Sequence, residues 1–323
     1  MLDLLKNAIR PFRDAVYTAT GFFYDYLRFL KYGGWRGREE IEKRNYQAVK
    51  IYHRLEKSLS FRIRKKGSGW MAAVDLYRFM ARGKMLKKPL GCQEKVAITV
   101  LDTFVRHTET PLALSQEIKN YLTENANLKS SKGGVLSLTS ECIEQGKLDD
   151  PERFFLSRYS VRDFSDQRVE STLVDRALQL ALKTPSVCSR QAWHVYKLET
   201  PDVIKRALKH QNGNSGFGHE IPCLLIVTAD LKGFDTHGER YQHWIDGGMF
   251  SMSIIMAIHS LGLGACCLNW SKGIRDDLRL RTLINIDPAH TIVMMIAIGY
   301  PKAELKVCHS ARRPLNEVLT VIN

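Results

Sequence analysis

The sequence predicts an α+β chain, in which an all-helical N-terminal region precedes a layered domain of helices around a mixed sheet. Three observations carry this. Apolar residues recur at helical spacing from the N-terminus to about residue 122. After about residue 150 the pattern changes to strands alternating with helices. Charge is unevenly spread as well: residues 1–90 hold 21 Lys+Arg against 8 Asp+Glu, whereas residues 91–323 hold 27 against 26. With 323 residues, 44% of them apolar, the chain can bury a full core and has room for two domains, placed at 1–148 and 149–323.

The first helical pattern runs through Leu5, Ile9, Phe12, Val16, Phe22, Phe23, Tyr26, Leu27 and Leu30, among Arg10, Arg13, Arg28 and Lys31. It reads as an amphipathic helix interrupted near Pro11 and Gly21 and ending at Gly33-Gly34. Its aromatic stripe suits docking on the chain's own body; the alternative is a helix lying flat in a membrane interface, basic residues toward anionic headgroups. A second helix spans about Arg38 to Leu59, with Glu39, Glu40 and Glu42 complementing the dipole of its first turn. Within it His53, Glu56 and Lys57 share a face, as a small polar cluster or an ordinary salt-bridged surface. The basic run Arg62-Ile-Arg-Lys-Lys66 and the flexible Gly67-Ser-Gly69 follow. Helical patterns continue through Trp70–Arg82, Gln93–Arg106 and Leu112–Leu122, and Lys129–Gly134 is the best linker.

Beyond residue 150 the pattern gives a helix at Leu173–Leu182, an alternating strand at Trp193–Glu199 and a buried strand at Pro222–Ala229. A long helix at Trp244–Leu261 closes on Gly262, then come a helix at Arg275–Ile284 and a buried strand at Thr291–Ile298. The irregular strand spacing favours a mixed sheet over a doubly wound parallel one. Gly213-Asn-Ser-Gly-Phe-Gly218 has glycines but precedes a strand, so it reads as a mobile loop and not as a dinucleotide fingerprint.

No run reaches the roughly 18–20 apolar residues of a membrane span, and the N-terminus lacks a secretory pattern, which predicts a cytoplasmic protein. Seven cysteines without paired spacing predict neither a disulfide framework nor a metal site. The surplus of positive charge in residues 1–90 would attract an anionic partner. Of the candidates, nucleic acid is set aside because no helix-turn-helix, zinc or aromatic-sheet signature accompanies it. A phospholipid surface, with peripheral attachment at the inner membrane face, or an acidic polymer then stands beside the alternative of an ordinary solvated face of a helical region.

Chemistry concentrates first at Arg158-Tyr159-Ser160-Val161-Arg162. Alternation places two guanidinium groups and a hydroxyl on one side of an extended segment, a receptor for a phosphate monoester. Each charge-assisted bond is worth roughly 1.5–3 kcal/mol. The same five residues also read as a solvated basic turn.

Four segments in order extend the reading: Ser157-Arg-Tyr-Ser-Val-Arg-Asp-Phe164; Thr184-Pro-Ser-Val-Cys-Ser-Arg-Gln-Ala-Trp193; Asp246-Gly-Gly through Leu261-Gly-Leu-Gly264; and Ile298-Gly-Tyr-Pro301 leading to Arg312-Arg-Pro314. Through them, residues 150–323 resemble the flavin-dependent nitroreductase family. The resemblance implies a three-layer α-β-α sandwich and FMN as cofactor, its phosphate held by the segment of Arg158, Tyr159, Ser160 and Arg162 and completed by Arg312 with Arg313 beside it. It also implies that the turn of Pro185, Ser186, Ser189 and Gln191 meets the flavin ring. Ser189 stands where the family presents an asparagine and Ala192 where it has a proline, so ring hydrogen bonding and redox tuning should differ. A backbone amide near Leu268 or Asn269 is implied beside flavin N5, with Trp270 walling the substrate or packing in the core.

Implied too are a nicotinamide donor, NADH or NADPH, a small-molecule acceptor, ping-pong turnover without an obligatory acid or base, hence no catalytic residue, and a homodimer. The long helix presents Met249, Met252, Ile255, Met256 and Ile258 for that dimer. Cys188, Cys266 and Cys267 read as inert packing. His53-Arg-Leu-Glu-Lys57 and Gly67-x-Gly69-Trp resemble a region ahead of the nitroreductase domain in a bacterial subgroup, some members of which are associated with surface-polysaccharide genes. The alternative reading is therefore a flavin-binding accessory protein recruited to a membrane or polysaccharide-assembly complex, with little turnover.

Overall fold

The computed structural model describes residues 2–37, 39–109 and 112–322. Five helices come first: α1 (Leu2–Tyr32), α2 (Ile41–Ser60), α3 (Trp70–Met85), α4 (Cys92–Arg106) and α5 (Leu112–Glu124). Arg38, where the sequence begins its second helix, lies outside the described residues, as do the side chains of Leu5 and Ile9. Helices α2 to α5 share one core that includes Val49, Leu55, Leu76, Ile98, Leu101, Phe104 and Ile118. Inside it Arg44 and Glu94 form a buried ion pair between α2 and α4, and the other oxygen of Glu94 accepts the Gly91 amide at 2.9 Å, capping α4.

The predicted linker is held down. The Ser130 carbonyl accepts from Thr99 Oγ1, and Gly134 N donates to Glu56, whose second oxygen lies 3.4 Å from His53 Nδ1. Left-handed backbone at Gly133 and Gly134 lets the segment lie against Val96 and Val100. Residues 139–149, with the short α6 (Ser140–Glu144), are exposed throughout and lead to α7 (Pro151–Leu156).

The remaining elements are α8 (Ser171–Ala181), β1 (Trp193–Leu198), α9 (Pro201–Leu208), β2 (Cys223–Asp230), α10 (Gln242–Ser260), β3 (Gly264–Asn269), α11 (Ile274–Ile284) and β4 (His290–Gly299). The sheet has the order β1-β2-β4-β3 and every strand pair is antiparallel. The expected parallel component is reduced to one bridge, Ser160 to Ala265. Helices α9 and α11 cover one face, around Leu208, Ile226, Leu280 and Met295; α8 and α10 cover the other, around Val174, Phe250, Ile254 and Ile296. The result is a three-layer α-β-α arrangement, an α+β fold with a helical region ahead of it. The sequence pattern missed β3 because Gly264-Ala-Cys-Cys-Leu-Asn269 contains no β-branched or aromatic residue. The loop at 213–218 is also less free than expected, since Asn214 Nδ2 donates to the carbonyls of Leu208 and Gln211.

Helix α1 departs most from expectation. It runs unbroken through Pro11 and Gly21, because the stretch around Pro11 is exposed and water can take up the carbonyl that proline leaves unpaired. It docks by its polar face, where Tyr24 Oη donates to Asp277 at 2.8 Å and Arg28 donates to the carbonyls of His290 at 2.7 Å and Pro288 at 3.0 Å. Of the stripe expected to pack inward, Phe12, Val16, Phe23 and Leu27 face out, whereas Leu30 is half-buried and Phe22 and Tyr26 line a hollow beside α10. Further along, Tyr46 bonds Asp230, Gln47 and Lys50 bond Asp235, and Lys232 pairs with Glu42, fastening α2 to the layered body.

Candidate functional site

Residues 158–165 thread along the start of β3 and the end of β4. Val161 N donates to the Ala265 carbonyl at 3.0 Å, Ser165 N to Tyr300 at 2.8 Å, and Phe164 bridges Pro301. Two glycines permit this approach: a Cβ on Gly264 would lie 2.9 Å from Val161, and one on Gly299 would lie 2.5 Å from Phe164. The threading fixes Ser160 beside Ala265, with Arg158 half-buried and Tyr159 and Arg162 exposed. Among the described residues neither Arg158 nor Arg162 has a carboxylate partner, so two cations stand uncompensated at one edge of the sheet. Burial pushes the Cys266 and Cys267 thiols up, and the nearby arginines, Arg162 and Arg158 respectively, only oppose this. Cys266 is buried, as a packing residue should be, whereas Cys267 is exposed and departs from that reading.

Arg312 and Arg313 are exposed, and Arg312 donates to the carbonyl of Ser310 in its own segment. In the single chain the tail reaches the arginine corner through Cys308, whose Sγ lies 3.8 Å from Arg162 Nη1.

The turn at 185–191 is built under strain. Cys188, Ser189 and Gln191 all have φ near +50°, the left-handed region that non-glycine residues avoid at roughly 1–2 kcal/mol each. Neighbouring groups hold it there. Ser189 N donates to the Ser186 carbonyl at 3.0 Å and Gln191 N to Ser186 Oγ at 2.9 Å. Buried Arg190 pairs with Glu239 and donates to the Gly233 carbonyl at 2.6 Å. Asp246, its carboxyl raised by burial, accepts from Val187 N at 3.3 Å and Gln242 Nε2 at 2.8 Å. Pro185 is exposed and also lines a hollow with Met249, Met252 and Met256 of α10. Ala192 is buried against Gly233, where a Cβ would meet its methyl at 2.5 Å. Arg190, Glu239 and Asp246 therefore support the turn; Arg190 and Asp246 fall within the segments that carry the family resemblance, which implies no supporting role for them, and nothing in the sequence marks Glu239.

At the far end of β3, Leu268 buries its side chain in the core, leaving only its backbone for a ligand, while Asn269 is exposed and its carbonyl accepts from Gln211 at 3.0 Å. Trp270 packs against the core, as one of its two readings expected, donates Nε1 to Asp277 at 3.1 Å, and also lines a cavity of about 840 Å³. That cavity lies between α1 (Tyr17, Gly21, Tyr24, Arg28), Trp244 of α10 and the start of α11. A smaller hollow of about 240 Å³ adjoins it, sharing Asp25, Arg28, Trp244 and Thr291. There the buried His243 leaves Nδ1 without a partner, and burial lowers its pKa to about 4.

Layered helices about a sheet edged with two arginines that lack carboxylate partners among the described residues define the class as an α+β protein. Residues 156–215 and 205–300 match the model of the nitroreductase family. The chain is 25% identical over 211 residues to "Iodotyrosine deiodinase" of Hydra vulgaris, covering 56% of this chain and 76% of that protein. It is 24% identical over 201 residues to "NADH dehydrogenase" of Thermus thermophilus, covering 53% and 95%. Among solved structures, an "FMN-dependent Nitroreductase" from Clostridium difficile superposes with a TM-score of 0.42 at 22% identity, covering 48% and 90%. Residues 156–300 are thus similar to the nitroreductase family, and the relatives bear names of oxidoreductases.

Proposed function

We propose that this protein is an FMN-dependent oxidoreductase that takes hydride from NAD(P)H and passes electrons to a small-molecule acceptor, with residues 149–323 as the flavin domain and 1–148 as an appended helical domain. The observation that carries the reading is the pair of uncompensated guanidinium groups, Arg158 and Arg162, fixed with the Ser160 hydroxyl along an edge strand. A phosphate monoester with two negative charges fits that donor set. Bound FMN would supply the redox chemistry, accepting hydride from the nicotinamide and releasing electrons to the acceptor in ping-pong order. The chain's residues supply placement: Arg158, Tyr159, Ser160 and Arg162 hold the phosphate, joined by Arg312 and Arg313. The strained turn of Pro185, Ser186, Ser189 and Gln191 presents polar groups to the ring, and the backbone of Leu268 and Asn269 runs beside its reacting edge. The cavity that begins at Trp270 then serves as the acceptor chamber, walled by Trp244 and Tyr24.

Tyr241, Ile245, Met249 and Met252 expose an apolar strip along α10, which supports a homodimer joined there. The test is the double variant Arg158→Ala/Arg162→Ala. It should purify folded and colourless, with FMN affinity lowered by about a hundredfold or more, since two charge-assisted contacts are lost. Stoichiometric flavin in that variant would refute the phosphate assignment. If wild-type flavin binds but is bleached by neither NADH nor NADPH, the accessory-protein alternative stands instead.

A further inference from the structure

Helix α1 has two unlike faces. Gly21, Tyr24 and Arg28 turn toward the body, while Phe12, Val16, Phe23 and Leu27 remain 74%, 45%, 59% and 47% exposed. Steps of four, seven and four residues, at about 100° each, keep those four side chains on one narrow stripe opposite the docked face. From Phe12 to Leu27 the stripe runs about 22 Å along the 31-residue helix, so it is an extended apolar ridge and not an isolated patch. Body packing does not account for it, because the tertiary hydrogen bonds of α1 come from its other side.

We propose that this ridge lies in the headgroup boundary of an anionic phospholipid bilayer and seats the protein on a membrane surface. Three features favour lipid over a second copy of the chain. First, the ridge consists of separated phenylalanines and aliphatic side chains along a single helix, the form that penetrates an interface. Second, charge favours anionic headgroups: among the described residues Arg10 and Arg13 pair with Asp14 alone and Lys31 has no carboxylate partner, α1 holds five basic residues against three acidic, and the helical region of residues 1–90 as a whole carries a surplus of thirteen positive charges. Third, the exposed strip of α10 lies on another flank of the helix, toward Phe22 and Tyr26, so a dimer formed there leaves the ridge uncovered. No helix of the described residues is long and apolar enough to cross a membrane, so the contact is one of lying on the surface. The inference is independent of the flavin assignment.

The experiment is co-sedimentation of the full chain with vesicles of phosphatidylcholine alone and of phosphatidylcholine with an equal part of phosphatidylglycerol. Wild type should sediment with the anionic vesicles. The triple variant Phe12→Ser/Val16→Ser/Phe23→Ser should lose about tenfold or more in partitioning, while keeping its thermal midpoint, flavin content and solution mass. The variant Arg13→Gln/Lys31→Gln, which leaves the ridge intact, should narrow the difference between the two vesicle types. Equal partitioning of the triple variant and wild type, or no binding of wild type to either vesicle, overturns the proposal. So does a fall in the solution mass of the triple variant without lipid, which would show that a second copy covers the ridge.

Discussion

Ser189 shows how one dihedral angle constrains chemistry. Its φ of 54° places it where asparagine is tolerated better than most side chains, because a short amide can hydrogen-bond locally and relieve the left-handed backbone. The asparagine that the family resemblance implies here is thus also what the backbone prefers. Ser189→Asn should raise stability by a few tenths of a kcal/mol, whereas Ser189→Val should lower it by about 1–2 kcal/mol, a β-branched residue being the worst fit to positive φ. Thermal unfolding of the two variants checks the sign of each change. A bound flavin should also change potential in Ser189→Asn, which potentiometric titration reads.

Single elements depend on contacts that cross them. Gly299 ends β4 and lets Phe164 pass at a distance no side chain would allow. Gly299→Val should push residues 160–164 off the sheet and cost the protein its flavin together with about 1–3 kcal/mol of stability. A variant that keeps flavin and melting temperature would show that the segment is placed by other means. In the helical region, Glu94→Ala strips the partner from a guanidinium with almost no access to water and should cost about 3–5 kcal/mol, measured by denaturant unfolding.

How far the sequence could be read follows from which contacts are local. Helices α2 to α5, α8, α10 and α11 and strand β1 were visible because their periodicity is fixed by neighbours three, four or two residues away, and strands β2 and β4 because each is a short unbroken apolar run. Arg158, Ser160 and Arg162 were visible for the same reason, as an alternating polar triplet. Strand β3 was not, its residues being small and weak in strand propensity, and its place set by pairing with β4 across more than twenty residues of chain. The orientation of α1 was hidden as well. An apolar stripe states which face is apolar, whereas the docking of Tyr24 and Arg28 depends on Asp277, Pro288 and His290, some 250 residues away. The support given to the strained turn by Arg190, Glu239 and Asp246 is equally non-local.

At the scale of the whole molecule, buried histidines make stability depend on pH. Burial lowers His243 and His290 each to about 4 from an ordinary 6.5. Above pH 6.5 both are neutral whether the chain is folded or not, and their environment carries no penalty. As pH falls from 6.5 to 4, the unfolded chain takes up protons that the folded one refuses, and each site withdraws roughly 1–3 kcal/mol. The melting temperature should therefore fall steadily over that window. His243→Phe, set among Phe29, Phe234 and Trp244, should flatten the slope; an unchanged slope would place the proton uptake elsewhere.

The roof of the cavity at Trp270 and the outward ridge belong to the same rod, so the two cannot move separately. Were the ridge seated in a bilayer as proposed, the mouth of the cavity would lie close to the headgroups, and oil–water partitioning would weigh on which small molecules reach it.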